Sequence, residues 1–207
     1  MKKLLIIFLL CLSSMAKAEW VRGTIILNNG EEKTGFIRNL SNTDASFVEY
    51  KFKSSDDVVK LQSEEIKEMM LRLREGTLVV KYVYTSSIGI NGEFKISKNK
   101  SWLRVVFRGD FDVLSFYSGT FRDSDYYINW PGENKATMIY IMGNNGLIGS
   151  DKNELLRKSV SSIFNDRCNL MVESIEKGTF LPEDIKQILR YYVDNCKEGS
   201  SPQAVIE

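Results

Sequence analysis

Histidine is missing from all 207 residues, and its absence removes whole classes of chemistry. A Ser-His-Asp triad or a Cys-His pair needs an imidazole to take the nucleophile's proton, so neither can be built within this chain. Histidine-based zinc and iron sites go the same way, which leaves an oxygen-ligated hard-cation site as the metal option. The remaining acid–base candidates are carboxylates, in two close sets: Asp110 with Asp112, and Asp123 with Asp125. Two acids converging about 5 to 9 Å apart in a cleft would suit glycoside hydrolysis, and either set could help coordinate calcium. Neither set follows an EF-hand loop, and alternating acids between strands are usually turn formers on a solvated face.

A second constellation is aromatic. Tyr117, Tyr126, Tyr127 and Trp130 could stack on a sugar or a peptide, although such residues on strands more often belong to a core. Other matches are fragments. Ser97-Lys98-Asn99-Lys100 and Lys33-Thr34-Gly35 fit the outer elements of penicillin-recognising serine enzymes, but in reversed order and without the middle Ser-Asp-Asn element. The loop Gly143 to Ser150 fits neither of the common phosphate-binding glycine patterns, and its Asn145-Gly146 reads as a turn. No cofactor is implied.

The first eighteen residues read as an export signal. Lys2 and Lys3 precede the apolar run Leu4 to Leu12, and Ala16-Lys17-Ala18 is the small-x-small pattern of a cleavage site. Cleavage near Ala18 leaves 189 residues and takes the basic count from 28 to 25 against 27 acids. Such a balance argues against a nucleic-acid footprint, and no later run is long and apolar enough to span a membrane. The expected location is a periplasm or the cell exterior. There Cys168 and Cys196, the two cysteines beyond the leader, are expected to form a disulfide.

The elements that must position these residues are β first and α last, an α+β chain. Trp20 to Leu27 and Lys33 to Leu40 alternate as strands around Asn29-Gly30, a turn that tolerates positive φ. Ser46 to Phe52 and Val58 to Leu61 follow, then one helical turn at Ser63 to Ile66, then strands at Met69 to Leu73 and Leu78 to Tyr84. These close a small barrel or a strongly bent sheet over 19–90. A second antiparallel unit over 91–149 turns at Asn91-Gly92, with strands at Glu93 to Ile96, Trp102 to Arg108, Val113 to Tyr117, Tyr126 to Trp130 and Thr137 to Met142. Lys98 to Lys100 and Arg122 to Asp125 are read as solvated loops.

From residue 150 to 196 the apolar period becomes helical. Asp151 with Glu154 forms a capping box for a first helix, whose stripe is Leu156, Val160, Ile163 and Phe164. A second helix carries Cys168, Val172 and Ile175 and ends at Gly178; a third opens at Pro182 and buries Ile185, Ile188, Leu189, Tyr192 and Cys196. The tail 197–207 is expected to be disordered.

Gly23-x-Ile25-x-Leu27, Asn29-Gly30 and Gly35-x-Ile37 resemble the opening strands of small SH3-like or Sm-like barrels. Over more of the chain, that hairpin together with Glu65-Ile66-Lys67, Cys168-Asn169-Leu170, Leu181 to Ile185 and Tyr192 to Cys196 resembles exported Bacteroidota proteins of unknown function. The resemblance implies a compartment and an architecture and brings no catalytic residues. The expected function is a non-enzymatic binding module with a protein or glycan partner. Its rivals are a carboxylate-dependent hydrolase and a sugar-binding module on Tyr126, Tyr127 and Trp130.

Overall fold

The alternation of the first strands fixes the start of the sheet. In the computed structural model, which describes residues 20–38, 42–88, 93–116, 125–140 and 152–197, β1 (Trp20–Leu27) and β2 (Glu32–Arg38) pair antiparallel from Trp20↔Arg38 to Ile26↔Glu32. Gly30 takes a φ of 86° in their turn, and the Asn29 side chain accepts from the Glu31 N–H at 2.9 Å. Gly23 and Gly35 face each other across this pair. A Cβ on Gly23 would lie 2.5 Å from the Met70 carbonyl oxygen, and one on Gly35 2.2 Å from that of Lys51. The Gly-x-Ile repeat thus marks where neighbouring strands approach too closely for a side chain.

The chain continues through β3 (Phe47–Lys51), β4 (Val59–Gln62), a 3-10 turn (Ser63–Glu65), β5 (Ile66–Leu73), β6 (Gly76–Ile88), β7 (Phe94–Arg108), β8 (Asp112–Phe116), β9 (Tyr126–Asn129) and β10 (Lys135–Ile139). The sheet order is β10-β9-β8-β7-β6-β5-β1-β2-β3-β4, and β10 also pairs with β6. That last pairing is parallel, whereas the other strand pairs are antiparallel. Strands β6 to β10 therefore close a five-stranded mixed barrel, and β5 and β1 to β4 extend from its wall.

Lys98 to Lys100 are not a loop. They lie within β7, a correction with a cross-strand cause. Lys100 sits opposite Tyr84, pairs with Glu64, and holds its ammonium 5.3 Å from the Tyr84 ring centre. The register shifts between Tyr84 and Ser86, and Ser97 Oγ accepts the Thr85 N–H at 3.0 Å at that shift. A polar run is held in a strand by partners distant in sequence.

Side-chain alternation divides the core into compartments that share strands. Val80 and Trp102 face an N-terminal core with Ile25, Ile37, Val48, Tyr50, Met69 and Leu71. Their neighbours Val83 and Leu103 turn into the barrel lumen, where Leu114, Tyr127 and Ala136 meet them. On the outside of the barrel, Val113, Ile128 and Ile139 pack against α1 (Lys152–Phe164), α2 (Asn169–Glu176) and α3 (Ile185–Asn195) through Leu156, Val160, Phe164, Met171, Val172, Ile175 and Ile188.

The helical boundaries follow local chemistry. Gly178, at a φ of 70°, ends the α2 segment. The third helix opens later than Pro182: Asp184 is its N-cap and accepts the Gln187 N–H at 2.8 Å, a stronger start signal than the proline. Cys168 precedes α2 and Cys196 follows α3, and the two form a disulfide with Cα atoms 5.3 Å apart. The leader, the turn at Asn91-Gly92, Tyr117, Asp123, the loop from Gly143 to Ser150, the Asp151 cap and the tail beyond Lys197 lie outside the described residues. Among the described residues no helix is long and apolar enough to cross a membrane.

Candidate functional site at the barrel mouth

Strand alternation points Lys81, Arg108, Asp112 and Asn129 to the same side as the lumen residues, and at one end of the barrel this side becomes polar. Lys81 lies opposite Glu68 in the β5–β6 pair, and Asp112 lies opposite both Arg108 and Asn129. Five side chains from five successive strands thus meet over the apolar filling. Lys81 Nζ lies 2.5 Å from Asp112 Oδ2 and donates to Asn129 Oδ1 at 3.3 Å. Asn129 in turn donates its amide hydrogens to the carbonyls of Glu133 and Lys135, both at 3.0 Å. Arg108 donates to Glu68 at 2.8 and 3.4 Å, and its Nε lies 3.4 Å from Asp112 Oδ1.

Burial makes this more than a surface ion pair. The carboxylate side chains of Asp112 and Glu68 are 9% and 10% exposed, whereas Arg108 is 48% exposed. The buried acids therefore depend on their cations, and the guanidinium faces water. Glu68 raises the pKa of Arg108 by hydrogen bonding, so the cation is permanent. A cleft of about 350 Å³ opens over the network, with Ile26, Phe111 and Pro131 as apolar wall and Gly109 and Gly132 at its rim.

Of the acids singled out by spacing, Asp112 belongs to this network. Asp110 turns away to Lys197, at 3.1 Å, so the two do not converge. Asp125 lies near Tyr127 and Tyr140 and raises the pKa of both phenols, after the larger effect of their burial. Among the described residues no group of three or more His, Cys, Asp or Glu side chains is placed to hold a metal ion.

The aromatic candidates occupy different surroundings. Tyr127 is buried in the lumen, edge-on to Phe116, while its neighbour Tyr126 packs on the helical side of the barrel. Trp130 packs among Phe111, Phe164 and Tyr192, and the Arg167 guanidinium lies 4.0 Å above its ring. The fragments Lys33-Thr34-Gly35 and Ser97 to Lys100 lie on β2 and β7, where Lys33 pairs with Glu31 and Lys100 with Glu64.

Sequence reasoning missed Glu68, Lys81, Arg108 and Asn129. The available signal was phase: Lys81 follows the core residue Val80, and Asp112 sits inside the buried run Phe111 to Ser115. A charge inside such a run needs a partner. Which strand would supply it depends on register. Compared with models of known families, with curated proteins and with solved structures, the chain matches none.

Proposed function

We propose that the chain is an exported, non-enzymatic binding module whose barrel mouth takes a small ligand bearing an anionic group. The observation that carries this reading is the cleft over Arg108, whose guanidinium is half exposed while the carboxylates that anchor it are buried. A preorganised guanidinium beside an apolar wall suits a carboxylate or phosphate ligand. Each buried acid is committed to a cation, which favours binding over acid–base catalysis. The leader pattern and the disulfide support export. Relation to the exported Bacteroidota proteins is part of the same proposal. So is relation to small SH3-like barrels, supported by the order β5-β1-β2-β3-β4 and the 3-10 turn before β5.

The test is intact-mass measurement, under non-denaturing conditions, of protein recovered from outside the cytoplasm. The expected chain starts near Glu19, carries no free thiol and retains a small-molecule mass that Arg108→Met loses. A chain that starts at Met1 and stays in the cytoplasm refutes export. Protein that carries no such mass, and whose Tm is unmoved by millimolar dicarboxylates, sugar phosphates and amino acids, refutes the ligand reading.

A further inference from the structure

A second surface continues from the barrel mouth along the same face of β1 and β5, beyond Ile26 and Glu68, and has a different character. Register places Trp20, Arg22, Phe36, Arg38, Glu49 and Lys51 on one face of β1, β2 and β3. Aromatic and cationic residues alternate across it: Trp20 is opposite Arg38, Arg22 opposite Phe36, and Phe36 opposite Lys51. The Arg38 guanidinium and the Lys51 ammonium lie 5.1 and 5.0 Å from the Trp20 ring centre, and the Arg22 guanidinium 5.6 Å from that of Phe36. The rings hold the cations in fixed positions. Arg72 extends the face on β5, two residues beyond Met70, which pairs with Thr24. Lys60 extends it on β4, opposite Glu49 and 4.3 Å from the Phe47 ring centre. Three acids share this face: Glu49, already paired with Arg38; Glu68, paired with Arg108 at the mouth; and Glu32, opposite Ile26 at the end of β2.

With the Glu68–Arg108 pair of the mouth set aside, five cations against two carboxylates is a local excess in a chain whose formal net charge is +1. Arg22, Lys51 and Arg72 make no ion pair among the described residues. We infer that this face docks an acidic polysaccharide, a chain of uronate or sulfated sugars. Charge complementarity selects a polyanion. Three features select among polyanions. The Trp20 and Phe36 rings are half-buried beneath cations, and Lys60 lies over the more exposed Phe47 ring, so the face offers no row of open platforms for stacking the bases of a single-stranded nucleic acid. Trp20 and Phe36 do not project for insertion into a bilayer, and the vesicle arm of the experiment reads any contribution of the exposed Phe47 and Val58. Anionic groups repeated along a flexible chain need only the fixed cations, which neighbouring strands present about 4.8 Å apart.

The experiment uses the full exported protein on immobilised polygalacturonate and dextran sulfate, with neutral dextran as blank. The same protein is offered to single-stranded DNA and to phosphatidylglycerol vesicles. Binding to the acidic polysaccharides is expected to weaken with salt, and the double variant Arg22→Gln/Arg72→Gln to lose about tenfold or more in affinity with a shallower salt slope. Both arginines are exposed, so the variant is expected to keep the parent's Tm. The control Lys158→Gln/Lys177→Gln removes equal charge from the helical region and is expected to bind as the parent. Equal loss in the control, no loss in the arginine variant, or tighter binding to DNA or vesicles than to either polysaccharide overturns the inference. These readouts do not involve Arg108, so they stand or fall separately from the barrel-mouth ligand.

Discussion

Replacing Asp112 with Leu tests whether the charged barrel mouth is held together as a unit. The substitution leaves Lys81, 19% exposed, over an apolar lumen, and takes one carboxylate from Arg108. Stranding a fully buried charge costs about 3 to 5 kcal/mol. Lys81 retains some contact with water and Arg108 keeps Glu68, so the expected loss is about 2 to 3 kcal/mol. Lys81→Met should cost less, about 1 to 2 kcal/mol, because Asp112 still has Arg108. The double variant Lys81→Met/Asp112→Leu removes both charges and extends the apolar filling formed by Val83, Leu103 and Leu114. It should lie within about 1 kcal/mol of the parent, giving a coupling of about 2 to 5 kcal/mol. Urea unfolding of the four proteins, with matching m values, measures each term. A double variant that loses the full sum of the two single costs would refute the reasoning, as would a loss below about 0.5 kcal/mol for Asp112→Leu.

Removing the disulfide with Cys168→Ser/Cys196→Ser frees a loop of 28 residues and should cost up to about 3.6 kcal/mol in the chain-entropy model, read as a fall in urea midpoint that reduction of the parent reproduces. Gly35→Ala should destabilise by about 2 kcal/mol or more, since its Cβ meets a backbone oxygen that cannot move alone; Gly30→Ala, strained in φ but open in space, should cost about 1 kcal/mol. Burial raises the Tyr127 phenol well above its ordinary value, so the folded state keeps a proton that the unfolded state releases near pH 10. Its stabilising contribution is present below that pH and is lost as pH rises further; Tyr127→Phe should flatten the alkaline fall in Tm, and an unchanged profile would exclude Tyr127 as its source.

Those predictions rest on features of differing legibility. The β1–β2 hairpin could be read directly, because Asn29-Gly30 fixes its turn and alternation fixes its faces. The 3-10 turn at Ser63–Glu65 and the end of α2 at Gly178 were readable for the same local reasons. The length of β7 was not, since Ser97 and Lys100 are held by Thr85, Tyr84 and Glu64 on other elements. The parallel β10–β6 pairing was also hidden. Nothing local to Lys135, Ala136 or Thr137 specifies Tyr84, Thr85 and Ser86 as partners, and the pairing follows from closing a bent sheet on itself. Asp112 was selected for its spacing from Asp110, yet its role comes from phase: it points inward with Leu114, while Asp110 sits in the preceding turn and turns to Lys197.

The shared strands explain why the polar mouth lies where it does. Along β6 and β7, one face must serve the N-terminal core through Val80 and Trp102, so the other face is committed to the lumen. The lumen fills with Val83, Leu103, Leu114, Tyr127 and Ala136, and beyond this filling Lys81 and Asp112 are the next inward positions along β6 and β8. An apolar pair there would extend the core. A salt-bridged pair instead ends it, and brings Arg108, through the bulge between Val105 and Phe107, beside Asp112 and toward Glu68 on the neighbouring sheet wall. The bulge has a specific consequence, since without that register shift the alternation of β7 would send Arg108 to the opposite face. The exposed guanidinium at the mouth is therefore a product of strand geometry: Val106 is the extra residue of the bulge, and deleting it should restore regular alternation with Arg108 still opposite Asp112, leaving the proposed ligand site in place.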